Sequence, residues 1–199
     1  GLGGSAGPGA PSVDGTRRAV SFEFVTDRLR IRPWRAADRP ALARMAQDPD
    51  MMRFITRGRT LGDEEVDELL ARQARLLGEH GICFGAVELA ETGEVIGLVG
   101  LQPHDDGQFE LGWWIWKEHW GRGYALEAAR AFVAHAREVM GLERLVAVID
   151  PPNAASIKVA ERLGMAFECN KSARETMARR EDVPIAYYGL ALPAVTRDP

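Results

Sequence analysis

The 199-residue sequence predicts a mixed α/β fold, on three grounds. Strand-like and helix-like segments alternate along most of its length. Between Ile82 and Trp116, three strand-like segments follow one another with no helix between them, which makes a meander. Two later segments, Tyr124–Met140 and Asn153–Leu163, have helical apolar spacing, and each is followed by a glycine and then a strand. The pattern contains no internal repeat and no second domain.

Residues 1–20 are rich in Gly, Pro, Ala and Ser and too poor in apolar side chains to pack. They are expected as a flexible tail ahead of one domain spanning residues 21–195. Phe22–Pro33 reads as an extended strand in which Leu29 and Ile31 alternate with arginines. Ala36–Gln47 reads as a helix that Asp48-Pro49-Asp50 stops. Gly62–Leu77 is a second helix; its acidic start, Asp63, Glu64 and Glu65, suits the positive end of the helix dipole. Ile82–Leu89 and Glu94–Gln102 are strands joined by a hairpin turn at Glu91-Thr92-Gly93, and Gln108–Trp116 is the next strand. Tyr124–Met140 carries Ala125, Ala128, Phe132, Ala136 and Val139 at helical spacing and ends at Gly141. Leu145–Ile149 is a buried strand broken by Pro151-Pro152. Asn153 caps the following helix and Gly164 ends it. Met165–Cys169 and Pro184–Leu192 close the chain as strands.

Composition excludes several classes of function. Apolar residues make up 46% and charged residues 27%, the balance of a globular chain. A net charge of −4 argues against nucleic acid as a partner. Lysine occurs only at Lys117, Lys158 and Lys171, so arginine carries most of the positive charge, a genome bias rather than a binding signal. No apolar run approaches the ~20 residues of a membrane helix, and no charged start precedes an apolar signal core. Cys83 and Cys169 fall in different strand segments and are expected to be buried free thiols. His80, His104, His119 and His135 lack metal-ligand spacing, so no metal is expected. A cytoplasmic protein without a membrane partner fits all of these.

Three segments carry candidate chemistry. Trp120–Ala128, WGRGYALEA, places two glycines around an arginine just before a helix. Glycines let main-chain N–H groups approach a ligand, and a helix start adds unpaired donors and partial positive charge. Alone, the same spacing also describes an ordinary tight turn. The strand before it alternates Glu110, Gly112, Trp114 and Trp116 on one face with Leu111, Trp113 and Ile115 on the other. Trp113 fits core packing. A carboxylate among indoles is costly to bury and its pKa should rise, as at many functional sites. A solvated strand-end charge is the plain alternative for Glu110. In the third segment, Asn153 caps a helix and Ser156 lies in its first turn. The hydroxyl there is either structural or placed to donate a proton at the strand ends.

Together the three segments resemble the GNAT N-acetyltransferases, whose [Gln/Arg]-x-x-Gly-x-[Gly/Ala] motif aligns with Trp120-Gly121-Arg122-Gly123-Tyr124-Ala125. Trp replaces the first Gln or Arg, as is common in the RimJ/RimL-type branch. That branch is also similar in TDRLRIRPW (Thr26–Trp34) and NAASIKVAERLGMAFE (Asn153–Glu168). The resemblance runs from about Phe22 to Leu192. It implies a mixed, mostly antiparallel sheet, flanked by helices and splayed between its fourth and fifth strands, with acetyl-CoA in the cleft. It implies that the backbone of Gly121, Arg122, Gly123, Tyr124 and Ala125 holds the pyrophosphate, and that Asn153 contacts the pantetheine or fixes its helix. It also implies that the strand segment Trp114-Ile115-Trp116 meets the pantetheine, through the backbones of Trp114 and Trp116, with the Trp114 amide as oxyanion donor. A bulge in that strand would break the simple alternation.

By the same resemblance Glu110 is the base and Ser156 the acid, with Tyr187 and Tyr188 as weaker candidates for the acid. The implied reaction is direct attack of a primary amine on the thioester. The amine is a protein N-terminal α-amine or a small-molecule amine, and the protein a monomer or homodimer. Met51–Gly62 and Lys171–Asp182 are the expected acceptor-facing segments. A non-catalytic acyl-CoA-binding or partner-binding module on the same fold is the competing class.

Overall fold

The computed structural model describes residues 21–172 and 183–196. The expected tail, residues 1–20, and residues 173–182 of the expected acceptor segment lie outside these. A short hairpin opens the domain, β1 (Phe24–Val25) and β2 (Leu29–Arg32). The helices α1 (Arg39–Ala46), α2 (Pro49–Met52) and α3 (Asp63–His80) follow. The meander is β3 (Phe84–Leu89), β4 (Val95–Pro103) and β5 (Phe109–Ile115). Then come α4 (Tyr124–Glu138), β6 (Arg144–Ile149), α5 (Ala154–Arg162), β7 (Ala166–Ser172) and β8 (Pro184–Ala191). The strands form one sheet in the order β1-β2-β3-β4-β5-β6-β8-β7. Every neighbouring pair is antiparallel except β5 and β6, which are parallel. This is the mixed, mostly antiparallel sheet that was expected. The family's fourth and fifth strands are β5 and β6 here, because the first predicted strand is divided in two.

That division has a local cause. Thr26 N–H donates to the Leu29 carbonyl at 2.9 Å, and the Leu29 N–H donates to the Thr26 hydroxyl oxygen at 3.2 Å. The segment predicted as one strand over 22–33 therefore folds back on itself. Asp48 likewise does more than stop a helix. Its carboxylate accepts from the Asp50 N–H at 2.8 Å and caps the one-turn helix α2, which periodicity could not reveal in four residues. Gly81, at φ 72°, ends α3 one turn later than predicted.

The expected bulge does not fall in β5. Its register with β4 is continuous from Phe109 to Ile115, whereas the irregularity lies between Val87 and Glu88 of β3. Alternation therefore holds: Leu111, Trp113 and Ile115 are buried and Glu110, Gly112 and Trp114 half-buried. Cys83 is buried, as expected, and burial pushes its thiol up to about 12. Cys169 is exposed, contrary to expectation, because β7 is the edge strand of the sheet.

Helices cover both faces. On one side α4 packs on β2, β4 and β5 and buries Ala128, Ala129, Phe132 and Ala136. On the other, the Arg44 guanidinium of α1 lies 4.2 Å from the Trp116 ring, and Arg72 of α3 donates to Gln102 of β4 at 3.2 Å. Buried Arg32 ties the sheet to the start of α1. It donates to both Asp38 oxygens, at 2.8 and 3.0 Å, and to Glu88 at 2.6 Å. Burial alone would raise the Asp38 carboxyl, but the Arg32 side chain and the Arg35 N–H hold it below the usual range.

Phe132 is fully buried, with its ring 5.7 and 4.9 Å from those of Phe22 and Phe24. Phe132→Ala should lower the unfolding free energy by about 3–5 kcal/mol, read from a urea titration.

Candidate active site

The parallel pair makes the site. β5 and β6 are in register only at Phe109↔Leu145 and Glu110↔Val146. Beyond Glu110 the strands diverge and a gap opens toward their C-terminal ends. α4 follows β5 and α5 follows β6, so two helix N-termini stand at the open end of a parallel pair. That is where α/β sheets place ligands, because unpaired N–H groups converge there.

Hydrogen-bond parity decides which backbone groups of β5 face the gap. The Trp116 N–H donates to the Ile96 carbonyl at 2.8 Å, and the His104 N–H to the Gln108 carbonyl at 2.8 Å. In an antiparallel ladder, bonded and non-bonded pairs alternate. Gly112 and Trp114 therefore turn their main-chain groups to β4, while Trp113 and Ile115 turn theirs to the gap. This corrects the expectation that the Trp114 and Trp116 backbones face a ligand. Face alternation predicts side-chain direction, but backbone direction depends on the register with β4.

The glycine turn takes the predicted form. Gly121 and Gly123 have φ of 73° and 80°, the left-handed region where a side chain is strained. A Cβ on Gly121 would meet nothing within 4 Å, so the turn is open to an approaching group. Gly123 is the N-cap of α4 and supplies no side-chain cap, which leaves the first-turn N–H groups for an anion. Trp120, the departure from the family motif, donates from its indole N–H to the Ile115 carbonyl at 2.7 Å and ties the turn to the strand end.

Glu110 lies at the vertex of the gap. Its carboxylate accepts from the Gln102 side chain at 2.9 Å, and Gln102 accepts in turn from Arg72. Burial raises the Glu110 carboxyl above its ordinary value, and the Gln102 hydrogen bond only partly opposes it. A buried carboxyl of this kind accepts a proton more readily than an exposed one.

Asn153 caps α5: its side-chain oxygen accepts from the Ser156 N–H at 3.2 Å. Ser156 is half-buried in the first turn. The Tyr187 hydroxyl of β8 donates to Asp106 of the β4–β5 turn. His104 Nδ1 lies 3.1 Å from Asp106, and Lys171 Nζ lies 3.6 Å from both Asp106 and the Tyr187 ring. This cluster staples the β4–β5 turn to β7 and β8. The Tyr187 hydroxyl, raised to about 12 by burial and Asp106, is committed there and is a poor acid. Tyr188 packs edge-on against Phe167. Of the expected acceptor segment, Met51 and Met52 are buried in α2.

Sequence reasoning missed Gln102 and Arg72 behind Glu110, because a cross-strand partner needs a register. It also left Thr26, Arg28 and Glu127 without a role, although all three lie within the motifs it singled out.

Comparison with known proteins agrees with this geometry. The family model described as an acetyltransferase (GNAT) domain matches residues 28–166, so the chain belongs to the GNAT acetyltransferases. It is 32% identical over 171 residues to YkkB of Bacillus subtilis, which covers 83% of this chain and 94% of that protein. An acetyltransferase crystal structure from Agrobacterium tumefaciens superposes with a TM-score of 0.70 at 30% identity, over 84% of this chain and 93% of that one. RimL, a ribosomal L7/L12 α-N-protein acetyltransferase, shares the fold alone: TM-score 0.71 at 16% identity, over 86% and 95% of the two chains. The protein is an acetyltransferase by family.

The raised Glu110 carboxyl has a consequence for stability. A group whose folded pKa lies above its unfolded value supports folding below the unfolded value and loses that support as pH rises through the folded one. Glu110→Gln is neutral throughout. Its melting temperature relative to the native protein should therefore rise from acidic to alkaline pH, as a thermal melt at each pH would record.

Proposed function

We propose that the protein transfers the acetyl group of acetyl-CoA to a primary amine by direct attack of the amine on the thioester. The carrying observation is the gap between β5 and β6, with main-chain groups of Trp113 and Ile115 along one side and the glycine turn at its mouth. The N–H groups of Gly121–Ala125 hold the donor's pyrophosphate, and Arg122 adds a side-chain cation beside it. The main chain of Trp113 and the N–H of Ile115, whose carbonyl is held by Trp120, pair with the pantetheine arm as an added strand. The Trp113 amide, nearer the vertex than Ile115, polarises the thioester carbonyl; one such donor is worth ~2.7–4 kcal/mol. Asn153 holds the start of α5 beside the arm.

Glu110 takes the proton of the incoming amine, directly or through one water. The nitrogen lone pair forms the C–N bond and the C–S bond breaks. Ser156 relays the proton that the nitrogen loses on forming the amide to the departing thiolate, and its hydroxyl is restored. Thiols ionise near pH ~8.5, so this last step is helpful rather than essential. The acceptor is a protein N-terminal α-amine, as for RimL-type enzymes, or a small-molecule amine, with residues 51–62 beside its entry. The site of action is the cytoplasm, where acetyl-CoA is made and used.

The test is CoA release, followed with a thiol reagent, over a panel of amines and N-terminal peptides. Turnover of at least one acceptor is expected. Acetyl-CoA that neither binds nor reacts would sink the proposal. With a turned-over acceptor, Glu110→Gln should lower kcat/KM about 10²–10⁴-fold, with acetyl-CoA affinity unchanged. Ser156→Ala should cost less than Glu110→Gln. Native rates for Glu110→Gln would remove it as the base.

A further inference from the structure

The glycine turn has a weakness that a neighbouring element corrects. With glycines on either side, the peptide plane between Arg122 and Gly123 rotates at low cost. An anion site needs that plane in one orientation. No cis peptide occurs among the described residues, so the Arg122 carbonyl and the Gly123 N–H point in opposite directions. Whatever holds the carbonyl therefore aims the N–H.

Arg28, in the turn between β1 and β2, holds it. Its Nη1 donates to the Arg122 carbonyl at 2.9 Å, and its guanidinium carbon lies 4.4 Å from the Tyr124 ring centre. Its Nη2 would lie 3.6 Å from a Cβ built on Gly123. Arg28 is itself locked from below. Glu127, one turn into α4, accepts from Arg28 Nε at 2.7 Å, from the Arg28 N–H at 2.9 Å and from the Thr26 hydroxyl at 2.7 Å. Burial alone would raise the Glu127 carboxyl, yet these bonds bring it below the usual range, so it stays charged. The contacts join residues about a hundred positions apart and engage both turns.

We propose that Arg28, clamped by Glu127, which Thr26 holds in turn, is a positioning residue that fixes the Arg122–Gly123 peptide so that its N–H faces the donor's pyrophosphate. The role is separate from chemistry: it sets affinity for the pyrophosphate end of the donor and leaves the thioester end alone. It rests on acetyl-CoA being the donor.

Two donors separate the possibilities, acetyl-CoA and acetyl-pantetheine, a thioester without the pyrophosphate. Arg28→Lys keeps the charge but loses the fork that reaches Glu127 and Arg122 together. Its KM for acetyl-CoA should rise roughly tenfold, about one lost charge-assisted hydrogen bond, with kcat and the acceptor KM unchanged. Its kcat/KM with acetyl-pantetheine should equal that of the native protein. Equal losses on both donors overturn the proposal, as does an unchanged KM for acetyl-CoA. Glu127→Gln keeps the side-chain shape and should show the same split more weakly; if Arg28→Lys does not fold, this variant decides by the same criteria. Native protein that turns over acetyl-pantetheine but not acetyl-CoA overturns the donor assignment, and this inference with it.

Discussion

The structure depends on one pair of strands that touch at one end and part at the other. β5 and β6 run parallel and share register only at Phe109–Glu110 and Leu145–Val146. Parallel strands need a long connection, and α4 supplies it while covering one face of the sheet. Because the strands then diverge, the edge of β5 carries main-chain groups of Trp113 and Ile115 that β6 does not meet. Elsewhere such an edge would invite aggregation; inside a cleft it is a template for an extended ligand. The Asp106, Tyr187, His104 and Lys171 cluster ties the β4–β5 turn to β7 and β8.

Polarity follows from the same geometry. At the open end of a parallel pair, the helices that follow each strand start side by side, and each presents unpaired N–H groups. An anion is favoured there without any charged side chain. The glycines that let it approach also loosen the turn, and the Arg28–Glu127–Thr26 contacts oppose that loosening from outside the motif. At the vertex the conditions reverse. Glu110 sits where the sheet is still closed and water is scarce, which raises its carboxyl and suits it to take up a proton.

Much of this was legible in the chain. Segment types and order could be read because apolar spacing separates strand from helix. Gly141 and Gly164 marked helix ends, and both adopt positive φ. The segments around Glu110, Gly121–Ala125 and Asn153–Ser156 stood out for similar reasons, since a buried charge, a glycine pair and a cap each leave a local signature. Local signatures also misled. The predicted strand over 22–33 hides a turn closed by a threonine side chain. Cys169, in an apolar strand pattern, is exposed because its strand has a neighbour on one side only.

By itself the sequence determined the class of fold, and its motifs, by resemblance, pointed to the acetyltransferase family and to three candidate segments. The fold class follows from spacing within short segments, and the family from the resemblance of whole motifs. Tertiary structure alone decided which edge of β5 faces the gap, that Gln102 and Arg72 stand behind Glu110, and that Arg28 reaches the glycine turn. Those facts depend on register between strands and on contacts across about a hundred residues, and periodicity along one segment carries no information about its neighbour's phase.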